Sequence, residues 1–180
     1  LGKGDGTFEA AKAYTVESAP LAVAVADLNG DKKLDVIAAN SAAGTISVLL
    51  GKGDGTFQDA ASVAVGNGPN SIASADVNGD EKIDLAAANF DDGSVSVLLG
   101  KGDGTFQSPL RFTAAAGPFS IVAQDLTGDG RPDIAAGAKV PQGGNWFAWW
   151  EQPASGKEPW TKHVVATNQD YGFAVINIGK

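Results

Sequence analysis

The stretch Asp76-Val77-Asn78-Gly79-Asp80-Glu81-Lys82-Ile83-Asp84 decides how the rest of the chain is read. Its first, third, fifth and ninth positions are Asp, Asn, Asp and Asp, and the seventh, Lys82, can contribute only its backbone carbonyl oxygen. That donor set is all oxygen and rich in carboxylates, the chemistry that a hard cation such as Ca²⁺ takes. The loop occurs three times. Asp27-Leu28-Asn29-Gly30-Asp31-Lys32-Lys33-Leu34-Asp35 precedes it and Asp125-Leu126-Thr127-Gly128-Asp129-Gly130-Arg131-Pro132-Asp133 follows, with the opening aspartates 49 residues apart both times. One such loop is compatible with chance, but three in register are not. The carboxylates crowded into each loop repel one another unless a cation neutralises them, which weighs against plain Asp/Asn turns.

A second signature keeps the same period. Leu1-Gly2-Lys3-Gly4-Asp5-Gly6-Thr7-Phe8 returns unchanged at residues 50–57 and 99–106. Its glycines give the backbone access to positive φ, as tight connections between antiparallel strands require, and the Phe is expected to open the next strand. Gly-x-Gly-x-Asp is similar to the nonapeptide calcium repeats of parallel β-helices, but those run in tandem, whereas one copy appears here per 49 residues, so the hairpin turn is preferred. Between these landmarks lie short apolar runs. Residues 21–26 alternate larger apolar residues with alanine and read as a strand buried on both faces; residues 36–39 form a second run, 45–50 alternate polar and apolar, and 57–65 form a fourth. No segment sustains a 3.6-residue period, so helices are expected to be few or absent. Four strands in a 49-residue repeat describe a β-propeller blade. The reading is therefore all-β: a propeller arc with repeats at about 18–66, 67–115 and 116–168, an unpaired fourth strand near 8–16 within the end segment 1–17, and an unpaired first strand within 169–180. That count leaves a ring unclosed and implies that remaining blades come from the parent chain or from another chain.

Composition agrees. The chain of 180 residues is 43% hydrophobic, enough to bury a core, and its formal charge is −8. Nine of its 21 acidic residues are the loop aspartates, so three Ca²⁺ ions would bring the total to about −2. With no basic stripe, nucleic-acid binding is excluded as a reading. Cysteine is absent, no apolar run reaches membrane-spanning length, and no signal-peptide pattern opens the sequence. Calcium loops of modest affinity work where calcium is plentiful, so an extracellular or secreted setting, the cell surface included, is expected.

The nine-residue loop is similar to the first nine positions of an EF-hand loop, but no glutamate stands at position 12 (Ala87) and strand-like runs replace the flanking helices. Loop, turn and spacing together resemble the FG-GAP/VCBS repeat family, whose related blades form the calcium-binding propeller of integrin α subunits; the resemblance covers residues 1 to about 140. It implies Ca²⁺ ligation, up to three ions, by the side chains of Asp27, Asn29, Asp31 and Asp35 with the Lys33 carbonyl. The second set is Asp76, Asn78, Asp80 and Asp84 with the Lys82 carbonyl, and the third Asp125, Thr127, Asp129 and Asp133 with the Arg131 carbonyl. Thr127 replaces an amide with a weaker hydroxyl, and Lys32 and Glu81 stand where the third copy has Gly130, so they must accept a tight turn.

The last quarter departs from the pattern. All four tryptophans, Trp146, Trp149, Trp150 and Trp160, fall here with the single histidine, His163. Residues 145–150 still read as a third strand and 160–166 as a fourth, and the Trp-rich pattern resembles blades of carbohydrate-active propellers. Exposed, these rings would be a sugar-stacking platform; buried, they fill the core between blades, which is preferred because Trp146, Trp149 and Trp150 cannot share one face of a strand. No Ser/His/Asp set can be assembled, and Glu151 and Glu158 are explained by a solvated loop. The sequence thus favours a calcium-binding scaffold for adhesion or for a polysaccharide or protein ligand. The alternatives are part of a polysaccharide-active enzyme, a lyase or dehydratase, or a lectin-like module.

Overall fold

A computed structural model describes residues 1–114, 117–140, 144–153 and 160–168. The chain forms three four-stranded antiparallel sheets, each a blade. The first contains β1 (Pro20–Ala26), β2 (Asp35–Asn40), β3 (Thr45–Leu49) and β4 (Ala61–Ala64), and the second β5 (Pro69–Ala75), β6 (Asp84–Asn89), β7 (Ser94–Leu98) and β8 (Leu110–Thr113). The third contains β9 (Ser120–Gln124), β10 (Asp133–Val140), β11 (Gly144–Glu151) and β12 (Thr161–Asn168). In every sheet the strands lie in sequence order. Among the described residues there is no helix.

Adjacent blades pack through their first strands, β1 beside β5 and β5 beside β9. The alanines make this close approach possible. Ala24 and Ala26 on β1 meet a core of Leu28, Ile37, Ile46 and Val48 from the first blade and Leu85, Ala87 and Leu98 from the second. The equivalent core between the second and third blades gathers Val77, Val95, Val97, Ile121, Ile134 and Trp150. Each large apolar side chain fully buried this way contributes about 1.5–3 kcal/mol.

Three expectations change. Residues 21–26 are not buried on both faces: Leu21, Val23 and Val25 are exposed while the alternating alanines are half-buried, because a blade packs on only one side of β1. Phe57 does not open a strand. It closes an isolated bridge with Gly51, and β4 begins at Ala61, after the turn has been locked. No strand forms over residues 9–19 either, since no third strand lies beside them to complete a ladder. The strand expected within 169–180 lies outside the described residues.

Candidate functional site

Each nine-residue loop joins the first strand of a blade to its second, and its side chains fix its own backbone. In the second loop, Asp76 Oδ1 accepts the amides of Gly79 (2.7 Å) and Asp80 (3.2 Å), and its Oδ2 accepts that of Glu81 (2.8 Å). Asp27 does the same with Gly30, Asp31 and Lys32, and Asp125 with Gly128, Asp129 and Gly130. These amides, that of Gly130 foremost, hold the Asp125 carboxyl below its ordinary pKa. The third and fifth positions make short turns. Asn29 and Asn78 accept the amides of Asp31 (3.0 Å) and Asp80 (2.9 Å), and Asp31 and Asp80 accept those of Lys33 and Lys82, both at 3.0 Å. In the third loop Asp129 accepts the Arg131 amide. The sixth residue takes the left-handed region in all three, φ 64° at Lys32 and Glu81 and 86° at Gly130, so both side chains accept the tight turn.

The ninth residue works differently. Asp35, Asp84 and Asp133 are buried, and each carboxylate spans two backbone segments. Asp84 Oδ2 accepts the Val77 amide at the start of the loop (3.0 Å), while Oδ1 accepts the Gly100 amide at the start of the Gly-rich turn (2.7 Å). Asp35 joins Leu28 to Gly51 in the same way. Asp133 joins Leu126 to Gln152, so the bracket survives where the Gly-rich turn has been replaced. The turn needs glycine for this contact: a Cβ on Gly100 would lie 2.3 Å from the Ile83 carbonyl oxygen, and one on Gly51 2.2 Å from that of Leu34. Threonine locks the turn itself, with Thr105 donating both its amide (2.9 Å) and its hydroxyl (2.6 Å) to Asp103. Burial, reinforced by the like charges of Asp80 and Asp76, pushes the Asp84 carboxyl up to about 6. Burial and Asp129 push Asp133 up as well.

The position-seven side chain neutralises the position-five carboxylate in every copy. Lys33 Nζ lies 3.2 Å from Asp31, Lys82 Nζ 3.3 Å from Asp80, and Arg131 pairs with Asp129. Among the described residues no three acidic or histidine side chains are already gathered into a cage. The donor set nevertheless suits calcium. It is all oxygen, and a carboxylate oxygen holding one amide keeps a second lone pair.

On the third blade, Trp150 is buried in the inter-blade core and Trp160 packs at its edge, their ring neighbours including Phe112, 5.9 Å from Trp160. These two rings fill the core. Trp149, half-buried, stacks on His163 at 4.1 Å with 13° between planes, and His163 Nε2 lies 2.9 Å from Glu151. The side chain of Trp146 and the loop residue Glu158 lie outside the described residues. Sequence reasoning missed two further features. One is the double bracket of the ninth aspartate. The other is a pair of buried asparagines, Asn40 and Asn89, one period apart, whose Nδ2 groups donate to Thr45 and Ser47 and to Ser94 and Ser96. The 49-residue recurrence was the signal for both.

Compared with known protein families, the chain matches a model described as an FG-GAP-like repeat twice, over residues 27–87 and 76–136, each match running from one loop through the next. No curated protein matches.

Proposed function

The chain belongs to the FG-GAP-like repeat family, and from that premise we propose that it is a calcium-binding β-propeller module that serves outside the cell as a scaffold for adhesion or ligand binding. The observation that carries this reading is the threefold return of one oxygen-lined loop, with the left-handed sixth residue and the buried ninth aspartate in the same places each time. Asp27, Asn29, Asp31 and Asp35 would hold the first ion with the Lys33 carbonyl. The second site would use Asp76, Asn78, Asp80, Asp84 and the Lys82 carbonyl, and the third Asp125, Thr127, Asp129, Asp133 and the Arg131 carbonyl. Bound calcium supplies positive charge that neutralises the crowded carboxylates and rigidifies the loops. The protein's part is to pre-set those loops through their amide bonds and to join them, through the ninth aspartate, to the turn that ends the third strand.

At free calcium ten times Kd each site adds about 1.4 kcal/mol, and three independent sites about 4 kcal/mol. Against a typical total of about 5–15 kcal/mol this is a large share. Thermal melts in calcium and in excess EDTA test it: the chelated protein is expected to melt several degrees lower, and coincident melts would refute the metal reading.

A lectin-like module is the second reading, favoured by the half-exposed Trp149–His163–Glu151 cluster. Titration with a polysaccharide panel, followed by tryptophan fluorescence, separates the two. A saturable change lost in Trp149→Ala supports the lectin, whereas a flat response leaves the scaffold reading in place.

A further inference from the structure

In each nine-residue loop a single residue holds both oxygens of the position-five carboxylate. Asp31 Oδ1 accepts the Lys33 amide, and Oδ2 lies 3.2 Å from Lys33 Nζ. Asp80 and Lys82 repeat the arrangement with Nζ at 3.3 Å, and Arg131 gives Asp129 both its amide and its guanidinium. The other two carboxylates of the second loop, Asp76 and Asp84, are met by backbone amides alone among the described residues.

An isolated surface ion pair carries little weight. Two observations set these pairs apart. The positive charge returns at position seven in all three copies, as lysine twice and arginine once, while position six beside it is Lys32, Glu81 and Gly130. The side chains are also placed from outside the loop. A Cβ on Gly53 would lie 2.9 Å from Lys33 Cδ and one on Gly102 3.1 Å from Lys82 Cδ, so each lysine stem crosses the Gly-rich turn where glycine leaves room for it. In the third blade, where that turn is replaced, Arg131 Nη2 reaches the Gln152 carbonyl oxygen at 3.4 Å.

We propose that Lys33, Lys82 and Arg131 are tethered counter-cations that set the ion selectivity of the loops: each holds the position-five carboxylate in the metal-free loop and yields it to a divalent ion but not to a monovalent one. The inference rests on the calcium reading and deepens it. Its basis is charge balance. Sodium in place of the Lys82 ammonium at Asp80 would exchange one positive charge for one, with no gain in attraction to the remaining carboxylates, whereas calcium brings two. The pairs are open enough for that exchange, their side chains being 30–43% exposed. The same residue would then act twice, its carbonyl as a ligand and its side chain as the competitor that keeps the loop closed to sodium. That competition also weakens calcium binding, so selectivity and tightness are opposed.

Two double variants separate charge from packing. Lys33→Met/Lys82→Met keeps an unbranched stem without the charge, and Lys33→Arg/Lys82→Arg keeps the charge. Both replace partly exposed side chains, so folding should be unaffected, which melts in EDTA verify. Calcium is titrated calorimetrically into each variant and the wild type at an ionic strength of about 0.15 M, set with sodium chloride or with tetramethylammonium chloride, whose cation is too bulky to enter the loop. In the bulky salt the methionine pair is expected to bind calcium about two- to five-fold more tightly than the wild type at the first two loops, and to lose that gain in sodium chloride. The wild type and the arginine pair should each give the same affinity in both salts. A methionine pair no tighter than the wild type in the bulky salt would overturn the proposal, as would one indifferent to sodium, or an arginine pair that behaves like it. Failure of the wild type to take up calcium in either salt would refute the calcium reading itself, and this inference with it.

Discussion

Asp84 offers the sharpest test of how the loops are built. Its carboxylate is fully buried, takes the Val77 and Gly100 amides, and still has its pKa pushed from 3.8 up to about 6 by burial and by the charges of Asp80 and Asp76. A carboxyl with a higher pKa folded than unfolded holds a proton in the native state that the unfolded chain has already lost. Stability of the metal-free protein should therefore fall as pH rises from about 3.8 to about 6, the reverse of the usual rise for a paired carboxylate. The full shift corresponds to about 3 kcal/mol, and screening from the solvated side of the loop reduces this to about 1–3 kcal/mol. At about 2–4 °C per kcal/mol for a chain of this size, the melting temperature in EDTA should drop by roughly 2–12 °C across that window. Asp31 and Asp125, whose pKa values are lowered, act below the window and do not offset it. Asp133, shifted the same way, adds to the slope. Scanning calorimetry in EDTA from pH 4 to 7, on the wild type and Asp84→Asn, isolates the Asp84 share. With calcium the slope should reverse, because binding favours the deprotonated carboxylates. A wild-type melting temperature that is flat or rising between pH 4 and 6 without metal, or an Asp84→Asn variant that retains the full wild-type slope, would refute the reasoning.

Three further outcomes are expected. Lys82→Gln removes the internal cation from Asp80 and should raise calcium affinity about two- to five-fold by isothermal titration, in keeping with the modest value of an exposed ion pair. Gly100→Ala forces a methyl group against the Ile83 carbonyl and should cost about 1–3 kcal/mol in chemical denaturation, while Lys101→Ala next to it should stay within about 0.5 kcal/mol of wild type. Trp150→Ala empties a core site and should cost about 3–5 kcal/mol, well above the effect of Trp149→Ala on the half-exposed surface.

The repeat made the blade order readable from the sequence, because period-two runs punctuated by loop and turn signals leave few arrangements for four strands. The loop was readable for a related reason: Asp, Asn and Gly have a short list of backbone roles. What the sequence concealed was which lone pairs face which groups. Asp76 and Asp84 are the same residue type in one loop, yet the first folds back on four amides of its own turn and the second reaches 16 residues ahead to Gly100. That distinction depends on burial, which no local pattern encodes. The tryptophans were ambiguous likewise: alternation separates Trp149 from Trp150, but which of the two meets a neighbouring blade is decided by tertiary packing. Residues 9–19 show the limit of local propensity, since a strand-like sequence without a ladder partner remains irregular.

The loops also bear on contacts between blades. The second loop residue, Leu28 or Val77, is buried in the core shared with the following blade, and the Leu28 carbonyl accepts the Gly104 amide from that blade's turn at 3.2 Å. The ninth aspartate meanwhile brackets the amide of that same second residue to the turn of its own blade. A cation ordering the first loop would therefore act on three elements together: its own turn, the core beneath it, and the next blade's turn. Its stabilisation should extend across the interface instead of ending at the loop. The third loop differs in kind. Leu126 is only half-buried, Thr127 supplies a weaker ligand than asparagine, and the Leu126–Asp133–Gln152 bracket is longer on the turn side, at 3.2 Å against 2.7 Å in the other two blades. With less of its surroundings to order in return, the third site should bind calcium most weakly of the three. A stepwise titration in which Asp125→Asn removes the tightest step would contradict this account of how loop and core are joined.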